Sequence, residues 1–170
     1  MFLSPTQLIE KLNITKSSTV VDFGSGSGAY VYPSLKAVSK SGKVIAVDID
    51  GDMLKTIEST ATVAGHVLHI LRADLEKKII LPDYTADYVI FANTLHQIEN
   101  KEDLIREIKR ILTPNGLILF VEWSSDSKFG PKKEIRIAED IATDMFVKAG
   151  FSILEKLPAG DYHYAYIFKV

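Results

Sequence analysis

The sequence predicts a single doubly wound α/β domain whose sheet is mostly parallel and carries helices on both faces. Three observations predict it. Short apolar runs of strand length alternate five times with segments of helical periodicity. A loop with glycine at every second position follows the first of those runs. Two further strand-like runs, Phe151 to Leu157 and Tyr162 to Val170, close the chain around Pro158-Ala159-Gly160-Asp161 and read as an antiparallel hairpin.

In chain order, Ser4-Pro5-Thr6-Gln7 reads as a capping box with proline at the first helical position. Leu8, Ile9 and Leu12 give the short helix one apolar face, so residues 1–18 form an N-terminal flank beside the glycine loop. Thr19 to Val21 is a buried strand that Asp22 closes, and Gly24, Gly26 and Gly28 come next. Without a Cβ, such a loop turns sharply and lies close against a ligand, with the next helix aiming its first N–H groups at it. Pro33 falls early in that helix, where a missing N–H is tolerated. Lys43 to Asp50 is a second buried strand ending in acid, and Asp50 caps the helix carrying Met53, Leu54, Ile57 and Ala61. Gly65 ends that helix, and His66 to Leu71 is the third strand. Ala86 to Ala92 is the fourth, with Asn93-Thr94-Leu95-His96-Gln97 at its carboxyl end, where ligands collect in open α/β sheets. Asn100 to Asp103 caps an amphipathic helix with Leu104, Ile105, Ile108, Ile111 and Leu112 on its buried stripe and a Glu102–Arg106 pair outside. Thr113-Pro114-Asn115-Gly116 is a turn into strand Leu117 to Val121, with Glu122-Trp123 beyond it. After a polar loop over 124–130, helical spacing runs from Pro131 through Ile135, Ala138, Ile141, Ala142, Met145 and Phe146 to a stop at Gly150.

The glycine loop admits two ligands. Gly24-x-Gly26-x-x-Ala29 fits a relaxed dinucleotide fingerprint. Asp22-x-Gly24-x-Gly26-x-Gly28 places a carboxylate two positions before the first glycine, poorly suited to a pyrophosphate and well suited to an ammonium. Asp48, 20 residues after Gly28, stands at the distance of a ribose-binding carboxylate. Asp74, just past the third strand, could reach an exocyclic amine or simply face solvent.

Composition narrows the partners. The 170 residues suit one domain, and 46% hydrophobic with 25% charged content is that of a soluble globular protein. A net charge of −2 gives no electrostatic reason to expect nucleic acid or an anionic membrane. No apolar run approaches the roughly 20 residues of a membrane span, and Met-Phe-Leu-Ser-Pro lacks the features of a signal peptide, so a cytoplasmic enzyme is expected. With no cysteine, thiolate zinc sites and cysteine nucleophiles are excluded, and no metal is expected.

The motifs together resemble the class I S-adenosylmethionine-dependent methyltransferases over nearly the whole chain. Val-Val-Asp22-Phe-Gly24-Ser25-Gly26-Ser-Gly28 is similar to the family's first motif, and Val-Ile-Ala-Val-Asp48-Ile49-Asp50 with Met53 to its second. Arg-Ala73-Asp74-Leu75 resembles the adenine-contacting turn, and Ala86 to His96 resembles the fourth strand and the loop after it. Ile-Leu-Thr-Pro114-Asn-Gly116 resembles the late turn, with Asn115 in place of the commoner glycine, a change asparagine's tolerance of left-handed backbone should absorb. The resemblance implies a seven-stranded sheet with an antiparallel last strand. It implies that Asp22 and the glycine loop hold the methionine end, Asp48 the ribose, Asp74 and its neighbours the adenine, and that Asn93 offers a backbone contact to the methionine amine. A nicotinamide enzyme fares worse: Tyr32-x-x-x-Lys36 has the spacing of a short-chain dehydrogenase pair but lies in the first helix after the loop, too early.

A methyl on a sulfonium is already activated, so a base is needed only for an acceptor that must lose a proton. The candidates are His96, Glu122 and His163, each open to a structural reading: a packed histidine, a paired carboxylate, and a ring within the aromatic hairpin. The acceptor is expected to be a small molecule. A protein that binds S-adenosylmethionine or S-adenosylhomocysteine as a sensor or partner subunit would keep the same motifs.

Overall fold

The computed structural model describes residues 4–62 and 67–170, so the expected helix stop at Gly65 and strand start at His66 lie outside the described residues. The elements run α1 (Pro5–Lys11), β1 (Thr19–Phe23), α2 (Val31–Val38), β2 (Lys43–Asp48), α3 (Gly51–Thr62), β3 (Leu68–Arg72), β4 (Ala86–Ala92), α4 (Lys101–Ile111), β5 (Leu112–Trp123), α5 (Glu139–Lys148), β6 (Ser152–Leu157) and β7 (His163–Lys169). The strands form one seven-stranded sheet in the order β3-β2-β1-β4-β5-β7-β6. All pairs are parallel except that β7 lies antiparallel to both β5 and β6. From β1 the chain builds outward to β3, then returns to place β4 on the other side of β1. The carboxyl ends of β1 and β4 therefore flank a switch point, where open α/β sheets leave a crevice.

Alternation along each strand sends side chains to two faces. One face packs Phe23, Phe91, Phe120 and Phe168 against Ile105, Ile108 and Phe146 of α4 and α5. Phe146 and Phe168 stack with ring centroids 4.6 Å apart. The other face packs Val20, Ile90, Val121 and Ala165 against Leu8, Val31, Leu35 and Leu54 of α1, α2 and α3. Each fully buried large apolar side chain contributes about 1.5–3 kcal/mol from its removal from water.

Local signals hold at several ends. The Ser4 hydroxyl accepts from the Gln7 amide at 3.4 Å with Pro5 opening α1. Asp50 caps α3 by accepting from the Asp52 and Met53 amides at 2.9 and 3.2 Å.

Three elements depart from expectation. The last long helix starts at Glu139, not Pro131. Arg136 holds the preceding segment as a loop by donating to the carbonyls of Pro131, Ser125, Ser127 and Phe129. Ile135 is then half exposed in a 3-10 turn instead of lying on a buried stripe. Thr113 to Gly116 lies within β5 as a bulge: Ala86 faces Leu112 and Tyr88 faces Leu117, so the extra residues of β5 loop out between them. Asn115 is not among the residues with left-handed backbone, so its tolerance of that region is not used. On α4, Arg106 pairs with Asp103 in place of Glu102.

Candidate functional site

The glycine loop ties itself down before any ligand is considered. Gly24 and Ser25 both donate their amides to the Val47 carbonyl, at 2.9 and 3.1 Å, and Gly28 donates to Ser25 O at 2.8 Å. Gly26 donates to Asp48 Oδ2 at 2.7 Å, while Asp48 Oδ1 accepts from the Asp50 amide at 2.9 Å. Gly24 has to be glycine: its φ is +71°, and a Cβ would collide with Thr94 Oγ1 and lie 2.8 Å from Thr94 Cγ2. Thr94 is held there by donating to the Ala92 carbonyl at 2.9 Å. A phosphate cradle needs free amides. Here four of the loop's amides are spent within the protein, one of them on the side chain of Asp48, which leaves too few donors to cradle a diphosphate.

Around the switch point lies a cleft of about 580 Å³. Its lining includes Gly24, Ser25 and Gly26 from the loop, Asp48, Ile49 and Met53 from the end of β2 and start of α3, Ala73, Asp74 and Leu75 after β3, and Asn93 after β4. Ile49 and Met53 are 61% and 44% exposed, leaving apolar surface for a ring to cover. Asp74 accepts from the Glu76 amide and pairs with Lys77, and both hold its carboxyl below the usual range. Asn93 adopts φ +54°, donates its amide to Val121 O at 2.8 Å and accepts from Gln97 Nε2 through its carbonyl. Asp22 and Gly28 sit behind this lining: Asp22 is buried at 2% exposure, and Gly28 packs its backbone against Tyr32 and Ile57.

Sequence reasoning alone does not single out Tyr30, Thr94, Gln97 or Ile98, all of which line the cleft. Their placement at the carboxyl ends of β1 and β4 is the available signal.

Buried polar atoms lacking partners gather here: Asp22 Oδ2, Ser25 Oγ, Tyr30 OH and Asn93 Oδ1. Burial, and then the charge of Asp48, pushes the Asp22 carboxyl up to about 8. Burial and the neighbouring Asp22 push the Tyr30 hydroxyl up as well. Orphaned groups of this kind are uncommon in folded proteins and each needs an explanation. A ligand carrying an ammonium and hydroxyls would satisfy them.

The three candidate bases fall in different settings. His96 and Glu122 meet: His96 Nδ1 lies 3.0 Å from Glu122 Oε1, and Glu122 also accepts from the His96 and Trp123 amides at 3.2 and 2.8 Å. Glu122 is fully buried and the His96 side chain is 6% exposed, and neither lines the cleft. His163 stands apart, on β7, its ring centroid 4.0 Å from that of Trp123. Burial pushes its imidazole down, partly offset by Glu122. Among the described residues no group of three or more His, Asp or Glu side chains is placed to hold a metal ion.

A switch-point cleft with spent loop amides and two facing acids defines a Rossmann-like domain built for a cationic nucleoside ligand. Residues 21–120 match the methyltransferase domain family. The chain belongs to the class I S-adenosylmethionine-dependent methyltransferases, whose cofactor is S-adenosylmethionine. It is 34% identical over 119 residues to the ubiquinone/menaquinone biosynthesis C-methyltransferase UbiE of Pseudomonas fluorescens, covering 68% of this chain and 46% of that protein. It therefore spans about half the length of such curated relatives. An S-adenosylmethionine-dependent methyltransferase from Aquifex aeolicus superimposes with a TM-score of 0.90 at 25% identity, covering 99% of this chain and 90% of that one. The cyclase SpnF shares the fold at a TM-score of 0.83 but only 14% identity, over 96% of this chain and 78% of its own. Fold alone therefore does not fix the reaction. No helix among the described residues is long and apolar enough to cross a membrane.

Proposed function

We propose that this domain binds S-adenosylmethionine in the switch-point cleft and transfers its methyl group, by in-line displacement, to a small-molecule acceptor. The observation that carries the reading is the ring of orphaned polar atoms, Asp22 Oδ2, Ser25 Oγ, Tyr30 OH and Asn93 Oδ1, around a cleft whose loop amides are already spent. Asp22 and Asn93 supply oxygens for the ligand's ammonium. Asp48 uses one site on each oxygen for the protein and retains acceptor capacity for the vicinal hydroxyls of a ribose. Ile49, Met53, Ala73, Asp74 and Leu75 flank the adenine. Gly28 acts through packing behind the loop. S-adenosylmethionine, when bound, supplies a methyl already activated on a sulfonium. The chain's own task is to hold the acceptor in line and keep water out.

His96 and Glu122 are assigned to positioning. Their hydrogen bonds clamp the turn after β4 to the end of β5, fixing Asn93 and Thr94 in the cleft wall. The C-methyltransferases of quinone biosynthesis among the relatives put an aromatic ring carbon at the head of any acceptor panel. We assign the whole described chain to one domain, with α1 flanking the cofactor side through Leu8 and Leu12.

Calorimetry with S-adenosylmethionine, S-adenosylhomocysteine and NAD in parallel tests the proposal. Both adenosyl ligands should bind and NAD should not. Binding of NAD alone would overturn the assignment. Methyl transfer to some member of a panel of quinone precursors, phenols and amines is expected. Tight binding with no transfer across the panel would leave a sensor or partner subunit in its place.

A further inference from the structure

The cleft is lined by acids and by no base. Asp48, Asp50, Asp74 and Glu76 all face it, and among the described residues no lysine, arginine or histidine does. The cations nearby are engaged elsewhere. Lys77 pairs with Asp74 at 3.1 Å, and Lys101 donates to the Ile98 carbonyl. Arg72 donates to the Ile49 carbonyl at 3.0 Å from the wall of a separate hollow that it shares with Lys55. With Asp74 set against Lys77, three lining carboxylates have backbone amides as their partners. Asp48 accepts from Gly26 and Asp50, Asp50 from Asp52 and Met53, and Glu76 from Glu99 and Asn100. An amide is a dipole: it steadies a carboxylate and leaves the net charge of the site negative. The protein itself registers this field. The charge of Asp48 adds to burial in pushing the Asp22 carboxyl up to about 8.

Cofactor and spent cofactor differ by one methyl group and one charge. S-adenosylmethionine carries an ammonium, a carboxylate and a sulfonium, and so has a net positive charge. S-adenosylhomocysteine has lost the sulfonium charge and is neutral overall. The ammonium and carboxylate are common to both, so their contacts cancel in any comparison of the two. The sulfur is bonded between the ribose and the amino-acid chain, so the residues assigned to those two ends, Asp48 and Asp22, flank it. At an effective dielectric constant of about 40, one carboxylate about 8 Å from a cation is worth roughly sixfold in affinity. Two such groups exceed tenfold. The attraction needs no direct contact, and it vanishes when the sulfur is discharged.

We propose that Asp48, Asp50 and Glu76 make the cleft selective for the charge of its ligand, so that methyl transfer itself loosens the spent cofactor and frees the site. This rests on the methyltransferase reading above, and the test keeps the two apart. Titration calorimetry without an acceptor compares S-adenosylmethionine, S-adenosylhomocysteine and sinefungin, which carries a protonated amine on carbon in place of the methylated sulfur. Each is titrated in about 20 mM and about 500 mM sodium chloride, where screening is weak and strong. At low salt S-adenosylmethionine and sinefungin should both bind at least tenfold tighter than S-adenosylhomocysteine. High salt should narrow that ratio at least threefold, with S-adenosylhomocysteine affinity held within twofold. Asp50→Asn combined with Glu76→Gln keeps an acceptor oxygen at both positions while removing two charges. That variant should narrow the ratio at least threefold at low salt, the loss falling on the two cationic ligands. Equal affinity for all three ligands, a ratio indifferent to salt, or sinefungin behaving like S-adenosylhomocysteine would each overturn the selectivity. So would a variant that weakens all three alike or leaves the ratio unmoved; should it fail to fold, the salt series on the wild-type chain decides. Failure of all three to bind would overturn the cofactor reading and this one with it.

Discussion

Alanine at Gly24 and at Gly26, made separately, should divide folding from ligand binding within one loop. Both residues have left-handed backbone, with φ of +71° and +48°. An L-residue there costs about 1–2 kcal/mol. The surroundings of an added methyl group differ. On Gly24 it would collide with Thr94 Oγ1 and lie 2.8 Å from Thr94 Cγ2, and Thr94 cannot swing aside without giving up its bond to Ala92 O. Overpacking of this kind adds roughly 1–3 kcal/mol. On Gly26 the nearest atom is the Gly24 carbonyl oxygen at 4.0 Å, and the residue lines the cleft. Gly24→Ala should therefore cost about 2–5 kcal/mol and Gly26→Ala about 1–2 kcal/mol. At about 2–4 °C per kcal/mol for a domain of this size, scanning calorimetry should show losses of roughly 4–20 °C and 2–8 °C. Titration calorimetry on folded Gly26→Ala should nonetheless show S-adenosylhomocysteine affinity reduced more than tenfold, because the methyl occupies ligand space. Wild-type affinity in Gly26→Ala, or equal melting losses in the two variants, would refute the reasoning.

Three further tests concern the acids. Asp22, held at about 8 against 3.8 when exposed, penalises the folded state increasingly as pH climbs from about 4 to about 8, so stability falls across that window. Asp22→Asn should flatten that fall in urea denaturation measured from pH 5 to 8; an unchanged pH curve rejects it. Asp48→Ala removes the acceptor for the Gly26 and Asp50 amides as well as the carboxylate we assign to the ribose, so affinity for S-adenosylmethionine should drop at least tenfold. Wild-type binding in that variant sinks the ribose assignment. Glu122→Ala strands three donors in the interior and should cost about 3–5 kcal/mol, with Glu122→Gln losing clearly less. Equal midpoints of the two variants in chemical denaturation would remove the positioning role.

Much of the fold is legible in the sequence because its signals are local. The run Ala86 to Ala92, the Asp50 cap and the closing hairpin are each written in a few adjacent residues. The start of the late helix is not legible, because apolar spacing at Ile135 mimics a helix, whereas Arg136 settles the matter through carbonyls of the preceding loop. The partner of Arg106 is hidden for a different reason: three- and four-residue spacings both bring a carboxylate within reach on one helix face, and the sequence offers Asp103 and Glu102 alike. At the site, the residue types and their order can be read, but not the tertiary contacts. Nothing near Gly24 in sequence reveals that Thr94 presses on it, and nothing near His96 reveals that Glu122 receives it. The second duty of Asp48, fixing Gly26, is likewise invisible, since it needs β1 and β2 to be neighbours.

The grip of Arg136 on the carbonyls of Ser125, Ser127, Phe129 and Pro131 has an evolutionary consequence. One guanidinium holds this segment through main-chain oxygens, which every amino acid possesses. Gly130, whose added Cβ would meet the indole of Trp123, and Ser127, whose hydroxyl bonds the Phe129 backbone, are constrained, but the side chains of Asp126, Lys128, Lys132 and Lys133 are exposed and bear none of that load. The course of the stretch from Ser124 to Arg136 is thus written largely in one residue, so its exposed positions are open to substitution while Arg136 itself is not.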